Sequence, residues 1–236
     1  MSDTAGTGHA ARRGSALLWR YLRSAPCTFS WLTLLLMTTI VQRLLPSNEL
    51  EHLLGERSTN LHHLESDPVH TLITSLLWID GRSWLPYLLL FCLFHAPAER
   101  WLGSLRWAAV GLTAHVGATY LSQGILAVAI HRGYADPGMV DVRDIGVSYF
   151  LAGIVGVLTY RVARPWRWLY LAGILIWFGI PLLTDPTFTD IGHFSALSIG
   201  LAAYPLTRGR TPPPRNPAVV PPGHRTGTHP APRSNT

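Results

Sequence analysis

Two residues whose types could do chemistry sit at matching depth in separate apolar segments. Ser148 lies in Gly146-Val147-Ser148-Tyr149, four residues after Asp144, and His193 lies in Gly192-His193-Phe194, three residues after Asp190. At a helical rise of ~1.5 Å per residue, each side chain falls about 4–6 Å inside the last acid of its flanking loop. A hydroxyl beside an imidazole is a nucleophile with its base: the ring takes the proton and the oxygen attacks a carbonyl. A serine alone in an apolar helix more commonly bonds back to its own helix. A histidine inside a membrane is costly and marks a functional site by default. Pairing requires that both segments enter from one face and touch.

The elements that must position them are apolar and numerous. Hydrophobic residues make up 48% of the 236-residue chain and charged ones 14%, with a mean hydropathy of +0.21. Six runs could span a bilayer, at about 28–46, 84–98, 107–130, 145–163, 166–183 and 191–207. Every cation is Arg, and with the N-terminus inside, fourteen of the 19 arginines but only two of the 13 acids fall on the inner side. Such an asymmetry is the positive-inside pattern, so the net charge of +6 reads as topology and excludes a nucleic-acid partner. The expected fold is an all-α membrane protein, a six-transmembrane-helix bundle with both termini cytoplasmic, multi-pass in the cell membrane. Ser148 and His193 then both lie near the outer face.

The remaining segments predict scaffolding. Residues 1–14 are small and polar and are expected to be mobile, and Leu17–Leu22 suit an interfacial helix. The first apolar run has no small-residue cleavage site and reads as a retained anchor. Residues 47–82 and 131–144 read as outer loops. The first holds His52, His62, His63 and His70, without His-x-x-x-His spacing or a cysteine, so no metal is expected. Cys27 and Cys92 read as packing residues. Asp144 and Asp190 read as solvated loop acids or helix-start residues. Residues 208–236 are Pro-rich and are expected to be disordered.

Small residues predict which helices touch. Gly146, Gly153 and Gly156 mark the fourth segment, and Ala196 and Gly200 lie three and seven residues after His193 on the sixth. No hydrophobic force pulls helices together in lipid, so small residues permit the close backbone approach that gains dispersion contacts. His95 and His115 are competing histidines. A polar path through them and Glu99 would suit a transporter, but Glu99 and Arg100 fall in an inner turn and not at the midplane.

These residues resemble a family. Gly146-x-Ser148 with Gly156 after it resembles the nucleophile helix of rhomboid intramembrane serine proteases, and Gly192-His193-x-x-Ala196-x-x-x-Gly200 resembles their base motif. Glu99-Arg100-Trp101-Leu102-Gly103, followed by Arg106, resembles the acidic-basic-Gly turn between their second and third helices. Thr74-Ser75 is similar to the segment entering their second helix. The resemblance implies a rhomboid-like domain over 28–207, between a cytoplasmic segment 1–27 and the tail 208–236. It also implies a Ser148–His193 dyad acting through an acyl-enzyme on membrane-protein substrate helices in the lipid bilayer, with no carboxylate partner, metal or cofactor.

Three departures from the family pattern stand out, the last at a pair of positions. Tyr149 follows the serine where the family has Gly, and Ala196 replaces a common Gly. The His and Asn that help hold the oxyanion fall at Ser83 and Tyr87, which could still donate, helped by the Ser148 N–H and supported by Gly146. Losing one oxyanion donor costs about 10²–10³ in rate. The alternative reading is a rhomboid-like pseudoprotease that binds membrane proteins without turning them over.

Overall fold

The computed structural model describes residues 4–210 and is all-helical over them. Most of the Pro-rich tail therefore lies outside the described residues, as do Met1–Asp3. Helix α1 (Thr4–Arg23) begins well inside the stretch expected to be mobile. Its alanines and arginines are strong helix formers and outweigh the scattered glycines. Helix α2 (Pro26–Leu44) opens with Pro at its first turn, where a missing N–H costs nothing.

The segment 47–82, expected as an outer loop, contains three short helices: α3 (Ser47–Glu56), α4 (Leu61–Ser66) and α5 (Pro68–Thr74). Local capping starts two of them. The Asn60 side chain accepts from the His63 N–H at 2.9 Å, and that of Asp67 accepts from the His70 N–H at 3.2 Å. Helix α6 (Leu85–Leu90) runs through a π-helical turn (Phe91–His95) into α7 (Ala96–Leu102). Pro97, which has no N–H to give, follows the wide turn directly.

Helix α7 ends at Gly103, whose φ of 82° lies in the left-handed region that glycine adopts without strain. Glu99 in that turn is 2% exposed and ties three elements together. One carboxylate oxygen accepts from the Cys27 N–H at 3.0 Å and the Ser104 hydroxyl at 2.6 Å; the other accepts from the Thr28 N–H at 2.7 Å. An acid thus caps the start of α2 from across the fold, where the helix dipole favours negative charge.

Helix α8 (Ser104–His131), α9 (Val147–Leu158) and α11 (Phe188–Ala202) pack against one another as the centre of the bundle. Between α8 and α9 the second outer segment contains a 3-10 turn at Pro137–Asp141. Helix α9 is the innermost element: ten of its residues are buried. Helix α10 (Trp166–Thr184) is peripheral, with Ile174 its one buried residue. A capping box starts α11, with the Thr187 hydroxyl and Asp190 carboxylate each satisfying the other's backbone N–H. Two described helices, α2 and α10, are individually long and apolar enough to cross a membrane.

The α9–α11 seam is built on missing side chains. A Cβ on Gly200 would run into the backbone of Gly153, and one on Gly156 would run into the Leu197 carbonyl. Gly153 also receives the Ala114 methyl group from α8, while Ala196 is fully buried beside it. Because the obstacle at Gly200 is backbone, it cannot swing aside. We expect Gly200→Val to lower the stability of the detergent-solubilised chain by about 3 kcal/mol or more. Gly124→Ala, on α8 where an added Cβ meets nothing within 4 Å, is expected to be neutral or stabilising by about 0.5–1 kcal/mol. Thermal or denaturant unfolding of the two variants checks both signs.

Candidate active site

Ser148 and His193 line one cavity of about 540 Å³. Its walls come from four elements: Leu90 and Phe94 of α6 and the π turn, Leu151, Ala152 and Val155 of α9, Gly173–Pro181 of α10, and Asp190 of α11. Apart from Ser148, His193 and Asp190, the lining is apolar. The two candidate residues sit on neighbouring helices, Ser148 in the first turn of α9 and His193 in the second turn of α11. They do not form a hydrogen bond with each other here. The Ser148 hydroxyl donates to the Ile145 carbonyl at 3.2 Å, one turn back in its own chain. Rotation about one side-chain bond redirects it, and catalytic contacts commonly tighten only when substrate is bound.

Aromatic rings hold the imidazole. The Tyr149 ring lies 5.1 Å from that of His193 at 76°, and Phe178 approaches from α10 at 6.1 Å. Edge-to-face pairs of this kind add about 0.5–1.5 kcal/mol beyond the area they bury. Tyr149 is fully buried, and the space it needs is supplied by Gly192, where a Cβ would strike the phenol ring. The bulky residue after the serine is thus accommodated by the glycine before the histidine. Its hydroxyl lies among Asp144, Ser122 and Thr189 yet meets none of them in hydrogen-bonding geometry.

Gly146 serves a different neighbour. The buried His115 ring lies where its Cβ would be, with His115 Nε2 3.1 Å from the Leu72 carbonyl oxygen and 3.5 Å from the Ser75 hydroxyl. This ties α8, the end of α5 and the start of α9 into one joint. His95 lies in an aromatic cluster with Trp31, Phe91, Trp107 and Phe150, and neither ring nitrogen has a hydrogen-bond partner. With Glu99 committed to the α2 cap, these residues form no continuous polar path.

The expected oxyanion residues are elsewhere. Ser83 is exposed ahead of α6, and Tyr87 packs with the cluster around Leu32, Leu35 and Ile79; neither lines the cavity. The donors near Ser148 are backbone. Helix α9 begins at Gly146 without a side-chain cap, and the N–H groups of Val147, Ser148 and Tyr149 have no acceptor. First-turn N–H groups carry the positive end of the helix dipole. Among the described residues no three His, Cys, Asp or Glu side chains converge as a metal site.

Asp144 corrects an expectation. It is not a solvated loop acid but 4% exposed, because the outer segment folds over it. Its N–H donates to the Ser58 hydroxyl at 2.6 Å, its carbonyl accepts from the Thr59 N–H at 2.9 Å, and its carboxylate faces Gln123 Nε2 at 3.4 Å. A burial this complete could not be read from an acid placed before an apolar run. Burial pushes the Asp144 carboxyl from 3.8 up to about 6. The folded state then holds this proton more tightly than the unfolded chain, so stability falls as pH rises from about 3.8 to 6 and stays reduced above. Asp144→Asn is expected to remove that slope and to stabilise the chain at pH 7 by up to about 3 kcal/mol, with little change at pH 3. Unfolding midpoints measured across this pH range check the sign.

A family model described as rhomboid-like protein matches residues 20–213. No curated protein and no solved structure matches the chain. The matched residues include the Glu99 turn, the Ser148 helix and the His193 helix, all within one continuous stretch. The chain belongs to the rhomboid-like protein family.

Proposed function

We propose that this chain is an intramembrane serine protease that cleaves membrane proteins through a Ser148–His193 dyad. The observation that carries the reading is that these two side chains, from two helices locked by a glycine seam, share one cavity whose lining is apolar apart from them and Asp190. His193 removes the Ser148 proton, and Ser148 attacks a substrate carbonyl to form an acyl-enzyme. Protonated His193 then gives its proton to the leaving amine, and water hydrolyses the ester with His193 again as base. The unpaired N–H groups opening α9 are the donors available to the oxyanion, in place of side chains. Holding Ser148 at the positive end of a short apolar helix favours the negative charge that develops there.

In this reading six segments cross the membrane, with both termini on the Arg-rich side and the dyad near the acid-rich outer face. The substrate segment enters between α6 and α10. Helix α10 is a peripheral wall with one buried residue, and its Trp177 and Phe178 line the cavity. A substrate helix must unwind to expose its backbone, so cleavage favours segments with helix-breaking residues.

A second reading is a rhomboid-like binder without turnover. The Ser148 back-bond and the distance of Ser83 and Tyr87 from the cavity favour it. Cleavage of a panel of membrane reporters in vesicles separates the two. The proposal predicts cleavage by the wild type, with loss of at least about 10³-fold in both Ser148→Ala and His193→Ala. Equal cleavage by all three rules out the dyad, and reporter capture without cleavage by the wild type favours the binder.

A further inference from the structure

The inner end of the bundle carries charge that no carboxylate among the described residues answers with an ion pair. Both described ion pairs, His52–Glu56 and Arg143–Asp80, lie at the opposite, acid-rich end. At the inner end Arg106 and Arg167 spend their guanidiniums on backbone carbonyls, and Glu99 is committed to the α2 cap. Arg161, just past α9, differs from its neighbours. Its Nε is buried without a hydrogen-bond partner, and the Arg100 guanidinium is near enough to repel it. Arg100 itself donates from Nε to the Ala96 carbonyl at 3.3 Å and stacks over Tyr21 at 4.6 Å, with no carboxylate partner. The two guanidiniums thus feel each other's charge, and among the described residues neither has a carboxylate partner.

Arg161 also lines an apolar groove of about 220 Å³, with Leu93, Phe94, Pro97, Leu158, Val162 and Tyr170. An arginine on an apolar trough with a second guanidinium acting on it, at the bundle end where the charge pattern places the cytoplasmic leaflet, matches one ligand chemistry. We infer that this groove binds an anionic glycerophospholipid, with its phosphate between Arg161 and Arg100 and an acyl chain along Leu93, Phe94 and Val162. The charge complementarity excludes a neutral occupant as the preferred one: a phosphate relieves the repulsion and gives the Arg161 guanidinium an anionic partner. Basic pockets between membrane helices on this side bind anionic headgroups by the same logic. Phe94 lines both this groove and the Ser148–His193 cavity, so the lipid would brace one wall of the candidate active site. The inference does not depend on whether the chain is a protease.

Native mass spectrometry of the full chain, with phosphatidylglycerol or phosphatidylcholine added to the detergent, tests it. The wild type is expected to retain phosphatidylglycerol on the order of tenfold over phosphatidylcholine. Arg100→Gln/Arg161→Gln should abolish that preference, whereas Arg164→Gln, a single charge change at an exposed site outside the groove, should keep most of it. Val162→Trp leaves both guanidiniums in place and fills the trough, so it should lower lipid retention without lowering uptake of inorganic phosphate. If the paired arginine variant fails to fold, the Val162→Trp arm decides alone. The inference is overturned if the preference is absent in the wild type, survives the paired variant, falls equally in Arg164→Gln, or is unaffected by Val162→Trp.

Discussion

The backbone contact between α9 and α11 sets everything else in this molecule. Within a membrane, apolar side chains gain nothing by leaving lipid, so helices stay together through dispersion and shape. Gly153, Gly156 and Gly200 leave no side chain in the seam, and the two backbones meet directly. Such a contact has little slack. It sets how Ser148, in the first turn of α9, and His193, in the second turn of α11, face one shared cavity.

On that fixed frame the local chemistry is arranged by few groups. The Tyr149 ring, seated in the hollow left by Gly192, and Phe178 on the far side confine the imidazole between them. The His115–Gly146 contact and the Ser58–Asp144 bonds hold the start of α9, so its unpaired N–H groups keep their direction. The one loose component is the Ser148 hydroxyl. Its bond to the Ile145 carbonyl is worth about 1 kcal/mol net, and the proposed dyad requires that bond to be exchanged for one to the His193 ring. A bound substrate that displaces water from the cavity would strengthen such a bond.

What could be read from the chain alone divides along a physical line. Helix positions followed from long apolar runs, and the Gly153, Gly156, Ala196 and Gly200 spacing already pointed to one close interface, because local composition dictates both. The same spacing suggested which serine and histidine to compare. Pairings across the fold were not legible. Asp144 looks like any acid before a helix, and only the folding of Ser58 and Thr59 over it makes it buried. Tyr149 looked like an obstruction until Gly192 was seen beneath it. Ser83 and Tyr87 were placed by counting residues back from Glu99, and counting assumes a regular helix. The π turn at Phe91–His95 and the break ahead of Leu85 interrupt that regularity, and neither residue reaches the cavity. The helical content of 47–82 was hidden because its caps, Asn60 and Asp67, also suit turns.

Reactivity of the Ser148 hydroxyl toward a fluorophosphonate tests the central claim most directly, since it needs no substrate and reads the nucleophile and its base alone. The account predicts a covalent adduct mapped by mass spectrometry to Ser148 in the folded wild type, slowed at least about a hundredfold in His193→Ala. An adduct that forms equally fast without His193, or none on a chain shown to be folded, would contradict it.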